Sequence, residues 1–221
     1  IEAVVKDEQT QLHSATVRSS SSMLDVDAGE LAGTGRLGIA LQTQAEVELE
    51  QCAVIIDFTL PEAVAANLEW AITHNTPIVI GTTGLNAQQL AALHAAAKHI
   101  PIVFAANYSV GVNLLIKLSQ QAAKIMGDTA DIEIIETHHR HKIDAPSGTA
   151  LALGEGIANT LHRNLDKNAV YGREGHTGER PQPQIGFATV RGWDVVEDHT
   201  VLFAELVERI ELPHISASRR T

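Results

Sequence analysis

Five consecutive positions, His138-His-Arg-His-Lys142, carry imidazole, guanidinium or ammonium groups in a chain whose formal charge is −11. A surface that acidic repels nucleic acid, so a local cationic cluster reads as a pocket for a small anionic ligand. The cluster is followed by Asp144-Ala-Pro-Ser-Gly-Thr149. On an extended segment side chains alternate faces, which would put His138 and Arg140 on one side and His139 and His141 on the other. Pro146 disfavours helix for Ala145, so a helix is expected to open near Ser147 to Thr149. Its unbonded N–H groups and dipole at Gly148 and Thr149 would make a carboxylate receptor. Gly148, lacking a Cβ, would let the ligand come close to the backbone. Three readings of the cluster stand side by side: an anion-binding catalytic site with His and Lys as proton-transfer groups, a metal site, or an exposed basic strand with packed histidines. Against a metal stand Arg140 and Lys142, which would repel a dication, and the lack of a recognised zinc spacing.

Under the first of these readings, one chemistry such residues could serve is reduction of an unsaturated carbon next to a C=N or carbonyl group. Hydride delivery there leaves an anion that must gain a proton, and Lys⁺ or His⁺ can donate it while stabilising the developing charge. That chemistry needs carboxylate receptors, a proton donor and a nicotinamide pocket.

The elements that must position these groups fall into two patterns. The first half alternates short apolar runs with helical ones: a strand over Leu12 to Val17, a buried strand over Ala53 to Phe58, a helix from Pro61 to about Thr73, a strand at Pro77 to Ile80, a helix capped by Asn86 to about Lys98, and a strand over Ile100 to Ala105. Such alternation implies a parallel sheet covered by helices, with ligands at the carboxyl ends of the strands. Phe58-Thr59, Gly81-Thr82-Thr83 and Ala105-Ala106-Asn107-Tyr108 should therefore share one rim. Arg18 ends the first of these strands beside four serines, a setting suited to a ribose 2′-phosphate or, equally, a solvated loop.

The second half changes character. A helix from about Val112 to Met126 leads to an alternating strand, Asp131 to Glu136, and a further helix runs from about Thr149 to Leu161. Gly172 to Pro183 reads as a long exposed loop, and Ile185 to Val190, Val195 to Phe203 and Leu206 to Leu212 as successive antiparallel strands, an open sheet suited to oligomerisation. The lone Cys52, read as a core thiol, excludes an internal disulfide and suits a reducing compartment. No apolar run approaches the roughly 18 to 20 residues needed to cross a bilayer, and the first residues lack a signal-peptide pattern. A cytoplasmic protein with neither nucleic-acid nor membrane partner is expected. No G-x-G-x-x-G occurs, and the chain opens inside what should be the first helix of a nucleotide fold, so either terminal pieces lie beyond it or the chain binds no dinucleotide.

The segment Glu136 to Ala150, of the form E-x-H-H-x-x-K-x-D-x-P-S-G-T-A, resembles the signature of the 4-hydroxy-tetrahydrodipicolinate (dihydrodipicolinate) reductases. The likeness extends through Asp27 to Gly33, Ile56 to Thr59, Gly81 to Gly84, Phe104 to Asn113, Arg173 to Arg180 and Ile185 to Arg191. It implies an α/β fold: a Rossmann-like dinucleotide domain over 1–109, to which 219–221 return, and an α+β substrate and tetramerisation domain over 110–218 with an open mixed sheet. It implies reduction with NADPH or NADH on the diaminopimelate route to lysine. By the same likeness His138 and Lys142 would be catalytic, and His139, Gly148 and Thr149 would bind a small dicarboxylate. Gly81, Thr82, Thr83, Ala105, Ala106, Asn107 and Tyr108 would line the nicotinamide, Arg18 would meet a 2′-phosphate, and Arg219 would lie near the cleft. The family's enzymes are homotetramers. Position 17, often acidic in the family, is Val17, which favours NADPH. Trp193 and Glu197 stand where the family is usually small or glycine, so the turn between the last strands is expected to differ. The competing reading is a catalytically inactive nucleotide-binding or oligomerising fragment of the same fold.

Overall fold

The structure is a computed structural model that describes residues 1–218; the expected role of Arg219 and the return of 219–221 lie outside the described residues. The chain divides into two compact units, Ile1–Phe104 and the residues from Ala105 onward.

The first unit begins with helix α1 (Glu2–Lys6), strand β1 (Ala15–Thr16), helix α2 (Ala28–Leu31) and strand β2 (Leu41–Gln42), the two strands pairing in parallel. The strand expected over Leu12 to Val17 is thus shorter, because β2 offers only two residues to pair with. Asp27 caps α2: its carboxylate accepts from the backbone N–H groups of Gly29, Glu30, Leu37 and Gly38 at 2.7–3.1 Å. These bonds, that from Leu37 foremost, hold its carboxyl down to about 2.

Three parallel strands follow, β3 (Ile55–Asp57), β4 (Ile78–Ile80) and β5 (Ile102–Phe104), in that spatial order. Helix α3 (Pro61–Thr73) links the first pair and α4 (Ala87–Ala96) the second. Pro61 opens α3 where its missing N–H costs nothing. Asn86 and Gln89 cap α4 reciprocally, each side chain bonding the other's backbone N–H at 2.9 Å. Val64, Leu68 and Ala71 of α3 and Leu93 and Ala96 of α4 pack on Ile78, Ile80 and Ile100 to form this unit's core. Only one face of the sheet is covered in this way; Val54, Ile56 and Val103 are exposed, so β3 is not the buried strand its apolar run suggests. Cys52 corrects a second expectation. It is half-buried and ends a 3₁₀ turn instead of sitting in the core.

The second unit starts with helix α5 (Val110–Met126), which opens two residues earlier than its apolar pattern suggests because the Ser109 hydroxyl accepts from Val112 N–H at 3.3 Å. Strand β6 (Asp131–His138), helix α6 (Gly148–Thr160), a short helix α7 (Leu165–Asn168) and strands β7 (Ala169–Tyr171), β8 (Ile185–Arg191), β9 (Glu197–Ala204) and β10 (Arg209–Ser216) complete it. The sheet order is β10-β9-β6-β8-β7. The last strands are therefore not a simple antiparallel succession. β6 lies between β8 and β9, pairing parallel with the first and antiparallel with the second, which makes the sheet mixed. The 172–184 segment joins β7 to β8 without helix or strand, and the two pair in parallel. It is tied down by Arg173 and Arg180, whose guanidiniums meet Glu133 at 2.8–3.0 Å, while Arg180 also bonds Asp131 at 2.7 Å. Ile132, Ile134, Val201, Phe203, Ile185 and Phe187 bury one sheet face under α5 and α6. Gly154 on α6 is required by that contact, since a Cβ there would lie 2.6 Å from the Phe187 ring.

Candidate active site

The chemistry-bearing cluster sits where β6 ends and α6 begins. Alternation along β6 turns Ile132, Ile134, Glu136 and His138 to the helix-covered face, and all four are buried. Register with β9 continues that face through Val201, His199 and Glu197. Strand geometry stops at His138: Arg140 and His141 form a turn, and Lys142 N–H bonds His139 C=O at 3.1 Å. The expected sharing of one side by His138 and Arg140 therefore fails, because alternation needs a strand to persist. Arg140 instead lies over the exposed Trp193 ring, 3.9 Å from its centroid, and its N–H bonds the Trp193 carbonyl. Trp193 thus gives the turn after β8 a partner in the turn after β6.

His138 is held by a buried carboxylate. Its Nδ1 lies 2.6 Å from Glu136 Oε2. Glu136 also takes a two-pronged contact from Arg191 at 2.8 and 3.1 Å, the Ser147 N–H at 3.1 Å and the Thr189 hydroxyl at 3.3 Å. Burial pushes the Glu136 carboxyl up, but the Arg191 and His138 contacts outweigh it and leave the group below its ordinary value. An ionised Glu136 fixes the Nδ1–H tautomer and turns Nε2 away from the carboxylate. The neighbouring His199 is fully buried, with Nε2 2.9 Å from Ser147 Oγ and its ring edge-on to His138 at 5.2 Å. Burial, and then the nearby His138, push its imidazole down to about 3, so it is neutral at ordinary pH.

Lys142 Nζ pairs with Asp144 Oδ1 at 2.8 Å, and that contact overrides burial to hold the Asp144 carboxyl below its usual value. Helix α6 starts as its sequence predicts: Ser147 is the cap, accepting from Ala150 N–H at 3.1 Å. Helix geometry leaves the Gly148 and Thr149 N–H groups without an intrahelical acceptor. A Cβ on Gly148 would meet no atom within 4 Å, so no protein contact requires glycine there. Thr149 Oγ1 donates to Glu197 Oε1 at 3.1 Å, and Asn107 Nδ2 donates to both, each at 3.1 Å. The Asn107 side chain is thus directed to the start of α6. Donor atoms of His138, Glu197 and His199 come within 4.8 Å of one another, a trio different from the sequential histidines weighed for a metal.

The remaining expected residues belong to the first unit or its border. Asp57, Ile80 and Phe104 lie abreast in register, so Phe58, Gly81 and Ala105 all leave the sheet from one edge. Thr82 is buried with its hydroxyl on Thr59 C=O at 2.9 Å, and Thr83 is exposed. Gly81 lies flat against the Phe58 ring, where any Cβ would overlap ring carbons, while the ring itself is 65% exposed. An exposed aromatic beside a side-chain-free turn, at the carboxyl edge of a parallel sheet, fits a flat nucleotide ligand. Tyr108 is exposed, and so is Arg18, in the loop that follows β1.

Sequence reading missed four partners: the anchoring role of Glu136, and Arg191, Glu197 and His199. The signal for Glu136 was present, since it lies two positions before His138 and strand alternation puts both on one face. Arg191 and His199 come from strands whose neighbours only the sheet order reveals.

Two family profiles cover the chain: dihydrodipicolinate reductase N-terminus over residues 1–108 and dihydrodipicolinate reductase C-terminus over 111–221. A relative from Pseudoalteromonas atlantica, named 4-hydroxy-tetrahydrodipicolinate reductase, is 58% identical over 221 residues, which is all of this chain and 83% of the relative. One of the same name from Pseudomonas fluorescens is 59% identical over 212 residues, 96% of this chain and 79% of the relative. Among solved structures, a dipicolinate-bound dihydrodipicolinate reductase from Paenisporosarcina sp. TG-14 matches with a TM-score of 0.69 and 25% identity, over 99% of this chain and 83% of that one. The helix-bounded parallel sheet, the mixed sheet and the Glu136-anchored histidine thus stand in a chain that belongs to the dihydrodipicolinate reductase family.

Proposed function

We propose that this chain reduces 4-hydroxy-tetrahydrodipicolinate to tetrahydrodipicolinate with NAD(P)H, the 4-hydroxyl leaving as water; its relatives are named 4-hydroxy-tetrahydrodipicolinate reductases. The observation that carries the reading is the meeting of His138, locked on a buried Glu136, with the start of α6 and the paired Lys142. Gly148 and Thr149 receive a substrate carboxylate on the helix N-terminus, and His139 lies on the same loop. The nicotinamide, when bound, supplies the hydride. Lys142 stabilises the negative charge that develops on the substrate and donates the proton, while His138 exchanges protons through Nε2, its orientation set by Glu136.

The first unit, extended to residue 109, is the dinucleotide domain, with Gly81, Thr82, Thr83, Ala105, Ala106 and Tyr108 toward the nicotinamide and Asn107 meeting it through its backbone, since its side chain bonds Thr149 and Glu197. Arg18, with Val17 in place of an acid, favours NADPH over NADH. Residues 110–218 form the substrate and tetramerisation domain of a homotetramer in the cytoplasm. No helix among the described residues is long and apolar enough to cross a membrane.

Steady-state kinetics test the assignment. His138→Ala and Lys142→Ala should each lower kcat by about 100-fold or more, the range of positioned proton transfer. Unchanged turnover in either variant removes that residue's role, and a preference of the unmutated enzyme for NADH removes the assignment of Arg18.

A further inference from the structure

The proposed carboxylate receptor is already in contact with an anion of the protein's own. Glu197 Oε1 accepts the Thr149 hydroxyl and the Asn107 amide, each at 3.1 Å, and Asn107 Nδ2 also reaches Thr149 Oγ1 at 3.1 Å. The three side chains close a triangle at the first turn of α6. Asn107 is held in its orientation by the Ser109 N–H, which donates to Oδ1 at 2.8 Å. Glu197 opens β9, paired in register with Ser216 of β10, and its side chain is 23% exposed. Beside it stands the fully buried His199, whose Nδ1 lies 3.5 Å from Glu197 Oε1 and has no hydrogen-bond partner among the described residues. A carboxylate at a helix N-terminus is favourable, and there it serves the hydroxyl that a substrate carboxylate would use.

We propose that Glu197 is a specificity-determining latch, an internal carboxylate that occupies the Thr149 receptor until a dicarboxylate substrate displaces it. The inference rests on the substrate role given above to Thr149. A ligand that binds only the unlatched state has its apparent affinity reduced by the fraction of molecules unlatched. The latch therefore raises KM, selects for ligands bearing a second carboxylate able to repay the exchange elsewhere in the site, and leaves the proton-transfer groups untouched. The neutral carboxamide of Gln can still accept from Thr149 and Asn107, but without the charge that strengthens those bonds and repels an incoming anion.

KM for 4-hydroxy-tetrahydrodipicolinate and the inhibition constant of pyridine-2,6-dicarboxylate, measured for Glu197→Ala, Glu197→Gln and Thr149→Val, test this. Removing a latch closed nine-tenths of the time lowers both constants by about tenfold in Glu197→Ala, with the change falling on KM more than on kcat. Glu197→Gln lies between that variant and the unmutated enzyme, and decides alone if Glu197→Ala does not fold. A raised or unchanged KM in the folded Glu197 variants overturns the latch, a rise meaning that Glu197 positions Thr149 for substrate. Thr149→Val separates the two layers of inference. If it raises both constants while the Glu197 variants do nothing, the receptor stands and the latch falls. If it changes neither constant, the Thr149 hydroxyl takes no part in binding the substrate, and the latch falls.

Discussion

At the scale of single residues, the site is governed by which groups are charged. His199 is neutral because burial, and secondarily His138, hold it down to about 3 against 6.5 for free imidazole. Between those values the unfolded chain binds a proton that the native chain does not. The stabilisation is therefore complete above about pH 6.5 and is lost as pH falls toward 3, with a limiting slope of about 1.4 kcal/mol per pH unit. Glu136, whose carboxyl is also lowered, adds a second loss of the same sign below its ordinary value of 4.5. The unfolding midpoint, followed by circular dichroism from about pH 7 to pH 5, should drop in the parent protein and drop less in His199→Gln. Equal slopes in the two proteins mean that His199 is protonated in the native state. No pattern of residue types announces this group. A lone histidine inside Val195 to Phe203 gains its meaning only from lying across from Glu136 on β6.

At the scale of elements, the start of α6 shows how much was legible. Pro146 before a Ser-Gly-Thr run places the cap at Ser147, and the structure begins the helix at Gly148. Capping signals depend on a few neighbouring residues, so they survive without tertiary knowledge. The same holds for Pro61 and for Asn86, whose helices open where expected. Strand order is another matter. β6 lies between β8 and β9 because of pairings 50 to 70 residues apart along the chain, roughly, and no local period encodes such pairings. For the same reason Arg191, at the end of β8, could not be seen as the partner of Glu136. Gly148 offers a test in which stability and function move in opposite directions. Ala at this first helical position meets open space and removes unfolded-state freedom, so Gly148→Ala should keep or raise stability by about 0.5–1 kcal/mol. The added methyl should nonetheless raise KM for the dicarboxylate, because it fills the approach to the helix N-terminus. A loss of stability, or an unaltered KM, removes the argument that this glycine serves a ligand.

At the scale of the whole molecule, the five-stranded sheet has one face under α5 and α6 and another that no helix covers among the described residues, although the 172–184 segment meets it at Asp131 and Glu133. Ile135, Val190 and Ile215 point to the open side, at 37%, 47% and 74% exposure, with Thr200 and Ala188 beside Ile135 in register. Apolar side chains spread across an uncovered sheet suit a second sheet packed against them, which supports the homotetramer proposed above. Ile135→Asp, placed on the central strand of that face, should shift sedimentation velocity toward smaller species and leave the α5 and α6 core intact. Persistence of the larger species would put the contact on another surface. The first unit is half-read for a similar reason: its alternating pattern announced β3, β4 and β5, but one side of their sheet carries exposed Ile56 and Val103. Periodicity reports that a strand is apolar. It does not report which of its faces a helix covers.

The buried carboxylate of Glu136 has a consequence for how damage accumulates. Strands β6 and β8, the Asp144 turn and the start of α6 all meet at that one group, through Arg191, Thr189, Ser147 and His138. Lesions at such a junction are not independent. Neutralising Glu136 alone strands a guanidinium, and removing Arg191 alone strands a carboxylate, so each single change is worse than its own contact is worth. Losing both together costs less than the two losses added. The two positions are therefore coupled, and exchanging them costs least when both change together.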